Sequence, residues 1–124
     1  MLTLADLEAR APRVPLAYLP TPLDEVPRLA AALVPGQDEP RLLIKRDDLT
    51  GLALGGNKTR KLEWLMGDAL RKGAKAVITT GAAQSNHARQ TAAAAAKLGL
   101  KAYLVLRPPI EGEGQGNLLI DDLV

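Results

Sequence analysis

The chain has no cysteine and no phenylalanine. Without thiols it has no disulfide framework and no thiolate metal site. Its one histidine, His87, cannot hold a zinc ion alone, so no metal is expected. One tryptophan and two tyrosines are the only aromatic residues, too few for a base-stacking platform. Charge of one sign is also scarce: 16 basic against 14 acidic residues leave a formal +2. No basic block tracks a phosphate backbone, so nucleic acid is not an expected partner. Long apolar runs are missing as well. Ala92 to Ala96 lies between Arg89 and Lys97 and is too short to cross a bilayer. The first ten residues carry acids and no continuous apolar stretch, so they do not read as a signal peptide. A chain of 124 residues suffices for one modest core. A soluble, cytoplasmic protein fits.

What is present centres on Gly55-Gly56-Asn57-Lys58-Thr59-Arg60-Lys61-Leu62-Glu63-Trp64. Leu62, Leu65, Met66 and Ala69 recur at helical spacing, which predicts an amphipathic helix over residues 58 to 71. The two glycines allow a tight turn at its mouth, and Asn57 is the expected N-cap. Lys58 then sits in the first turn, where backbone N–H groups lack intrahelical partners. A cation there opposes the helix dipole, which hints at a role other than helix stability. The plainer alternative is an ordinary basic surface helix.

Thr3 to Arg10 reads as a short capped helix that Pro12 and Pro15 end. Residues 1 to 41 read as an irregular and helical N-terminal wrap, with a helix opened by Pro27. Residues 42 to 124 read as part of an α/β unit. Leu42 to Lys45 and Ala76 to Thr80 are expected as buried strands and Lys101 to Leu106 as a third strand. Ser85-Asn86 opens a second helix that Gly99 ends. Strand, helix, glycine, strand is a βαβ unit, so the expected fold class is three-layer α/β with a parallel sheet. Glu111 to Gly116 reads as a surface loop, with a last helix beginning at Asn117. The apolar stripe Leu118, Leu119, Ile120, Leu123, Val124 has barely begun when the chain stops, so a piece of a longer polypeptide is expected.

In parallel α/β proteins ligands gather beyond the carboxyl ends of the strands. Residues 46 to 57, 81 to 86 and 107 to 117 lie there in this reading. Lys58 and Ser85-Asn86 open the helices after two of these loops and can face one crevice. Ser85, Asn86 and nearby N–H groups suit an anion or polar oxygen, although Ser85 can equally be a simple cap. Asp47 and Asp48 can be a paired acid and base, or can brace the next loop through Arg46. His87 can be a base or a surface residue. Gly51, Gly56, Lys58 and Thr59 approach a P-loop, but Asn57 breaks its register.

Together these residues resemble the N-terminal part of the D-cysteine desulfhydrase and 1-aminocyclopropane-1-carboxylate deaminase family. The likeness runs from Tyr18 onward. It is strongest at Ile44-Lys45-Arg46-Asp47-Asp48, at Gly55 to Glu63, and at Gln84-Ser85-Asn86-His87-Ala88-Arg89-Gln90-Thr91. The resemblance implies a pyridoxal 5'-phosphate enzyme of the tryptophan-synthase-beta-like fold, fold type II, and a homodimer at full length. It implies that Lys58 holds the cofactor covalently and that Asn86 bonds the cofactor's ring oxygen. It implies that Ser85 lies near the substrate carboxylate, with a catalytic role in the deaminase branch. Lys61 matches a residue on the cofactor phosphate, and Asn57 and Gln84 line the pocket, with His87 on the substrate side. The family's glycine-rich phosphate loop and its ring-nitrogen partner lie beyond Val124, so this chain alone is not expected to be active.

Within that family, His87 after Asn86 and Asp47-Asp48-Leu49 in the earlier loop look more like the desulfhydrase branch. The implied reaction is β-elimination from D-cysteine, giving pyruvate, sulfide and ammonia. The deaminase reaction is the alternative. A non-catalytic fragment or a nucleotide-binding module using Gly55 and Gly56 are rivals of another class.

Overall fold

In the computed structural model, residues 3–34, 40–107 and 115–124 are described. Five helices and four strands follow in the order α1 (Leu4–Arg10), β1 (Leu23–Glu25), α2 (Pro27–Leu33), β2 (Leu43–Lys45), α3 (Lys58–Arg71), β3 (Ala76–Gly81), α4 (Asn86–Lys97), β4 (Lys101–Leu106), α5 (Asn117–Leu123).

The parallel unit is where the sequence placed it. β3 pairs β4 in parallel register, from Ala76 opposite Lys101 to Gly81 opposite Leu106, with α4 as the crossover. Ser85 caps α4 by accepting from the Ala88 N–H at 3.2 Å. Gly99 closes it at φ +70°, a conformation glycine adopts without strain. Ala88 and Ala92 to Ala95 are buried because α4 is packed on β3, β4, α3 and α5. Small side chains let those neighbours come close.

β3 was expected to be buried, and the sheet departs from that. Val77, Thr79, Ala102 and Leu104 are half-buried, while Ile78, Tyr103 and Val105 on the alternate positions are exposed. Alternation is what a sheet covered on one face shows. A second departure is β1. Leu23–Glu25, inside the proline-rich wrap, pairs antiparallel with β2, Leu23 opposite Lys45 and Glu25 opposite Leu43. β2 is therefore an exposed ladder strand and not a buried one.

The core is built around Leu16, Leu62, Met66 and Ala94, with Val14, Leu52, Val77, Leu98 and Leu100 packed on it. The buried stripe of α3 is Thr59, Leu62, Glu63, Met66 and Gly67, whereas Leu65 is 55% exposed. The expected stripe was thus rotated from the true one, because the wrap covers Glu63 and Gly67 from the other side. A Cβ on Gly67 would stand 1.9 Å from the Pro12 carbonyl oxygen. Gly67→Ala is therefore expected to push the wrap off α3 and cost about 3 kcal/mol. A urea titration would show it as a lower midpoint, and an unchanged midpoint would contradict the packing.

Candidate active site

The approach to α3 is a strained loop that glycine makes possible. After β2, two 3₁₀ turns cover Asp47–Thr50 and Leu52–Leu54, and five of the next residues have positive φ: Gly51, Ala53, Leu54, Gly55 and Gly56. A Cβ at Gly55 would lie 1.9 Å from the Asp48 carbonyl oxygen. The loop is tied down by Thr50, whose Oγ accepts from the Gly56 N–H and donates to the Gly56 carbonyl, both at 2.9 Å.

Asp47 and Asp48 are bracing groups. Arg60 donates two bonds of 2.7 Å to Asp47, and Thr21 Oγ donates a third at 2.8 Å. The Arg60 guanidinium, outweighing burial, holds the Asp47 carboxyl down at about 2. Arg46 forks onto Asp48 at 3.0 and 2.8 Å and reaches Asp24 at 2.7 Å. Hydrogen bonding from Arg46 lowers Asp48 too. Neither carboxyl is protonated near neutral pH, so the pair is not an acid–base couple.

Lys58 follows as the first residue of α3, half-buried. Asn57 stands at the cap position but makes no side-chain cap; its Oδ1 accepts from Lys58 Nζ at 3.1 Å instead. Lys61, one turn on, is exposed. Among the described residues neither lysine is in an ion pair.

The start of α4 converges on that of α3. Ser85 and His87 are half-buried and Asn86 is exposed. His87 titrates below its ordinary 6.5 because burial disfavours the imidazolium and the Lys61 and Lys58 charges repel it. A cleft of about 220 Å³ opens beside His87 and Thr91, floored by Leu62, Met66 and Thr79. Gln84 sits apart from this group: its side chain holds the start of α5, accepting from the Asn117 N–H at 2.9 Å and donating to the Gln115 carbonyl at 2.8 Å. The structure thus brings Lys58, Asn57, Lys61, Ser85, Asn86 and His87 to two neighbouring helix starts. It commits Gln84 to a structural bond.

Four residues that periodicity does not single out also belong here. Thr50, Thr59 and Gln90 are fully buried, and Arg89 is 6% exposed. Thr59 donates to Gln90 Oε1 at 2.7 Å, and Arg89 Nη2 donates to the Gly55 carbonyl at 3.0 Å. No signal in hydropathy marks them, because all four are polar and their burial depends on partners in other elements.

A family model described as pyridoxal-phosphate dependent enzyme matches residues 14–119. The chain is 52% identical over 119 residues to a D-cysteine desulfhydrase of Salmonella paratyphi A, covering 92% of this chain and 35% of that protein. It is 56% identical over 110 residues to a D-cysteine desulfhydrase of Klebsiella pneumoniae strain 342, covering 89% and 32%. The crystal structure of an ACC deaminase homologue superposes with a TM-score of 0.83 at 52% identity, covering 94% of this chain and 34% of that one. The chain therefore spans about a third of the length of the relatives it matches.

Proposed function

We propose, from the premise that this chain belongs to the pyridoxal-phosphate dependent enzyme family, that at its relatives' full length it carries out β-elimination of D-cysteine. Overall, D-cysteine and water become pyruvate, hydrogen sulfide and ammonia. The observation that carries the reading is the 2.7 Å bond from Thr59 to Gln90, which sets the start of α3, with Lys58, beside the start of α4, with Ser85 to His87.

The donor set suits the cofactor. Lys58 is a primary amine free of any carboxylate among the described residues, as a group that must bond an aldehyde requires. Lys61 offers a cation to the phosphate, and Asn86 offers an amide donor to the ring oxygen. Pyridoxal phosphate, when bound, supplies a sink for the electron pair left when a Cα–H bond breaks. Lys58 is the group that would hold it and the base that would take the Cα proton at Nζ. Ser85 spends a lone pair on the Ala88 N–H, which leaves its hydroxyl hydrogen for a substrate carboxylate oxygen. Asn57 orients the Lys58 amine. His87, uncharged at neutral pH, lines the substrate side, and Gln84 holds the start of α5. The same reading puts the full-length enzyme in the cytoplasm as a homodimer. Among the described residues, no helix is long and apolar enough to cross a membrane.

A second reading, 1-aminocyclopropane-1-carboxylate deamination, is favoured by the likeness to the ACC deaminase homologue. Assaying the full-length protein for three products separates the two. Pyruvate with stoichiometric sulfide from D-cysteine is the expected result. Efficient 2-oxobutyrate release from the cyclopropane acid, without sulfide from D-cysteine, would overturn it.

A further inference from the structure

We propose that Thr59 and Gln90, with Thr50 and Arg89 beside them, form a buried polar clasp that sets where Lys58 stands relative to the start of α4. The role given to Lys58 rests on the function proposed above. The clasp itself is a matter of geometry.

Thr59 is the residue after Lys58, and Gln90 lies one helical turn beyond Asn86. The 2.7 Å bond from Thr59 Oγ to Gln90 Oε1 therefore joins the two helices next to their functional ends. Thr50 Oγ stands 3.3 Å from Thr59 Oγ. Only two hydroxyl hydrogens are available, and they serve the Gly56 carbonyl and Gln90 Oε1. Thr50 thus locks the glycine turn while Thr59 locks α3 to α4. A Cβ on Gly56 would lie 2.3 Å from Gln90 Nε2, so glycine at this place lets the amide lie against the turn. Arg89 grips the preceding carbonyl, that of Gly55, from the same stretch of α4.

Apolar side chains would fill this space at lower cost. Gln90 Nε2 and Arg89 Nε and Nη1 are buried without acceptors among the described residues, a penalty an apolar packing would avoid. What a directional bond adds is one allowed rotation and height of α3 on α4. Slippage of α3 by a residue would turn Lys58 about 100° away from Ser85 and Asn86. Thr59 and Gln90 are accordingly positioning residues: both are fully buried and act through Lys58.

The single histidine of the chain reports on this, because burial between the helices, and after it the Lys61 and Lys58 charges, hold the His87 midpoint down. NMR titration of His87 is expected to give a midpoint below 6.5 in the wild-type chain. Thr59→Val keeps the shape and removes the hydroxyl, and its His87 midpoint is expected to rise. Thr59→Ser keeps the hydroxyl and is expected to titrate as wild type. Gln90→Met removes the acceptor from the other helix and is expected to behave as Thr59→Val, which covers the case in which one variant fails to fold. With limiting pyridoxal phosphate and borohydride, the Lys58 to Lys61 adduct ratio is expected to fall about fivefold in the valine and methionine variants. An unchanged His87 midpoint in folded Thr59→Val or Gln90→Met would overturn the clasp, even if stability dropped. Adducts that avoid Lys58 in the wild-type full-length protein would instead overturn the proposed function and leave the clasp standing.

Discussion

Lys58→Ala in the full-length protein is expected to lower D-cysteine turnover by about a thousandfold or more, because one side chain is asked to hold the cofactor and to move the Cα proton. The same variant is expected to lose the yellow absorbance of the loaded protein. Borohydride reduction followed by peptide mapping should find the pyridoxyl group on Lys58 in the wild type and on no residue of the 55–64 stretch in the variant. Lys58→Arg is expected to fail equally, since a guanidinium keeps the charge and offers no nucleophilic amine. Lys61→Ala should behave differently, with the covalent attachment retained and the cofactor bound roughly tenfold more weakly through the loss of one phosphate charge. The geometry behind the distinction is plain. Lys58 is half-buried at the first turn, oriented by Asn57, whereas Lys61 is exposed one turn on. A wild-type adduct on Lys61 would show that the wrong lysine was chosen.

The parts of this arrangement that sequence made legible are those with a strong period or strong punctuation. α3 and α4 declared themselves by helical spacing, α4 also by Gly99 at its end, and β3 and β4 by short apolar runs around a crossover. The mixed α/β class with a parallel sheet follows from these, and the pyridoxal-phosphate family followed from the motifs at Lys58 and Ser85. β1 was not legible, because a three-residue strand inside a proline-rich stretch carries no period, and its pairing with β2 depends on a chain reversal 17 residues long between Glu25 and Leu43. The face of α3 was misread for a related reason. Hydropathy ranks Leu65 as core and Glu63 as surface, yet Leu65 is 55% exposed and Glu63 is 2% exposed. What buries Glu63 is a set of distant donors, and no local pattern announces those.

Glu63 accordingly makes the second large prediction. Its Oε1 accepts the Leu16 and Ala17 backbone N–H groups, each at 2.9 Å, and its Oε2 takes Arg13 Nε at 2.8 Å and Nη2 at 2.7 Å. Arg13 also lies over Trp64, 5.8 Å from the ring centroid, and the Val14 N–H bonds the Glu63 carbonyl at 3.0 Å. One carboxylate thus pins residues 13 to 17 along α3 and delivers Leu16 to the core. Glu63→Ala leaves two inward N–H groups and a partly covered guanidinium unpaired, and is expected to cost about 3 kcal/mol. Glu63→Gln keeps the shape but cannot accept from every donor, and should cost less. The pH dependence separates the charge from the packing. Burial pulls the Glu63 carboxyl upward, but the Ala17 and Leu16 N–H groups and Arg13 prevail, so it titrates below its ordinary 4.5. Stability from a depressed carboxyl is fully present above 4.5 and is lost as pH falls through the lower folded value. The stability gap between wild type and Glu63→Gln, read from urea midpoints, should therefore be wide at neutral pH and close as acid protonates the wild-type carboxylate. A gap that stays constant down to strong acid would mean that the charge contributes nothing and that Glu63 holds the wrap to α3 by shape alone.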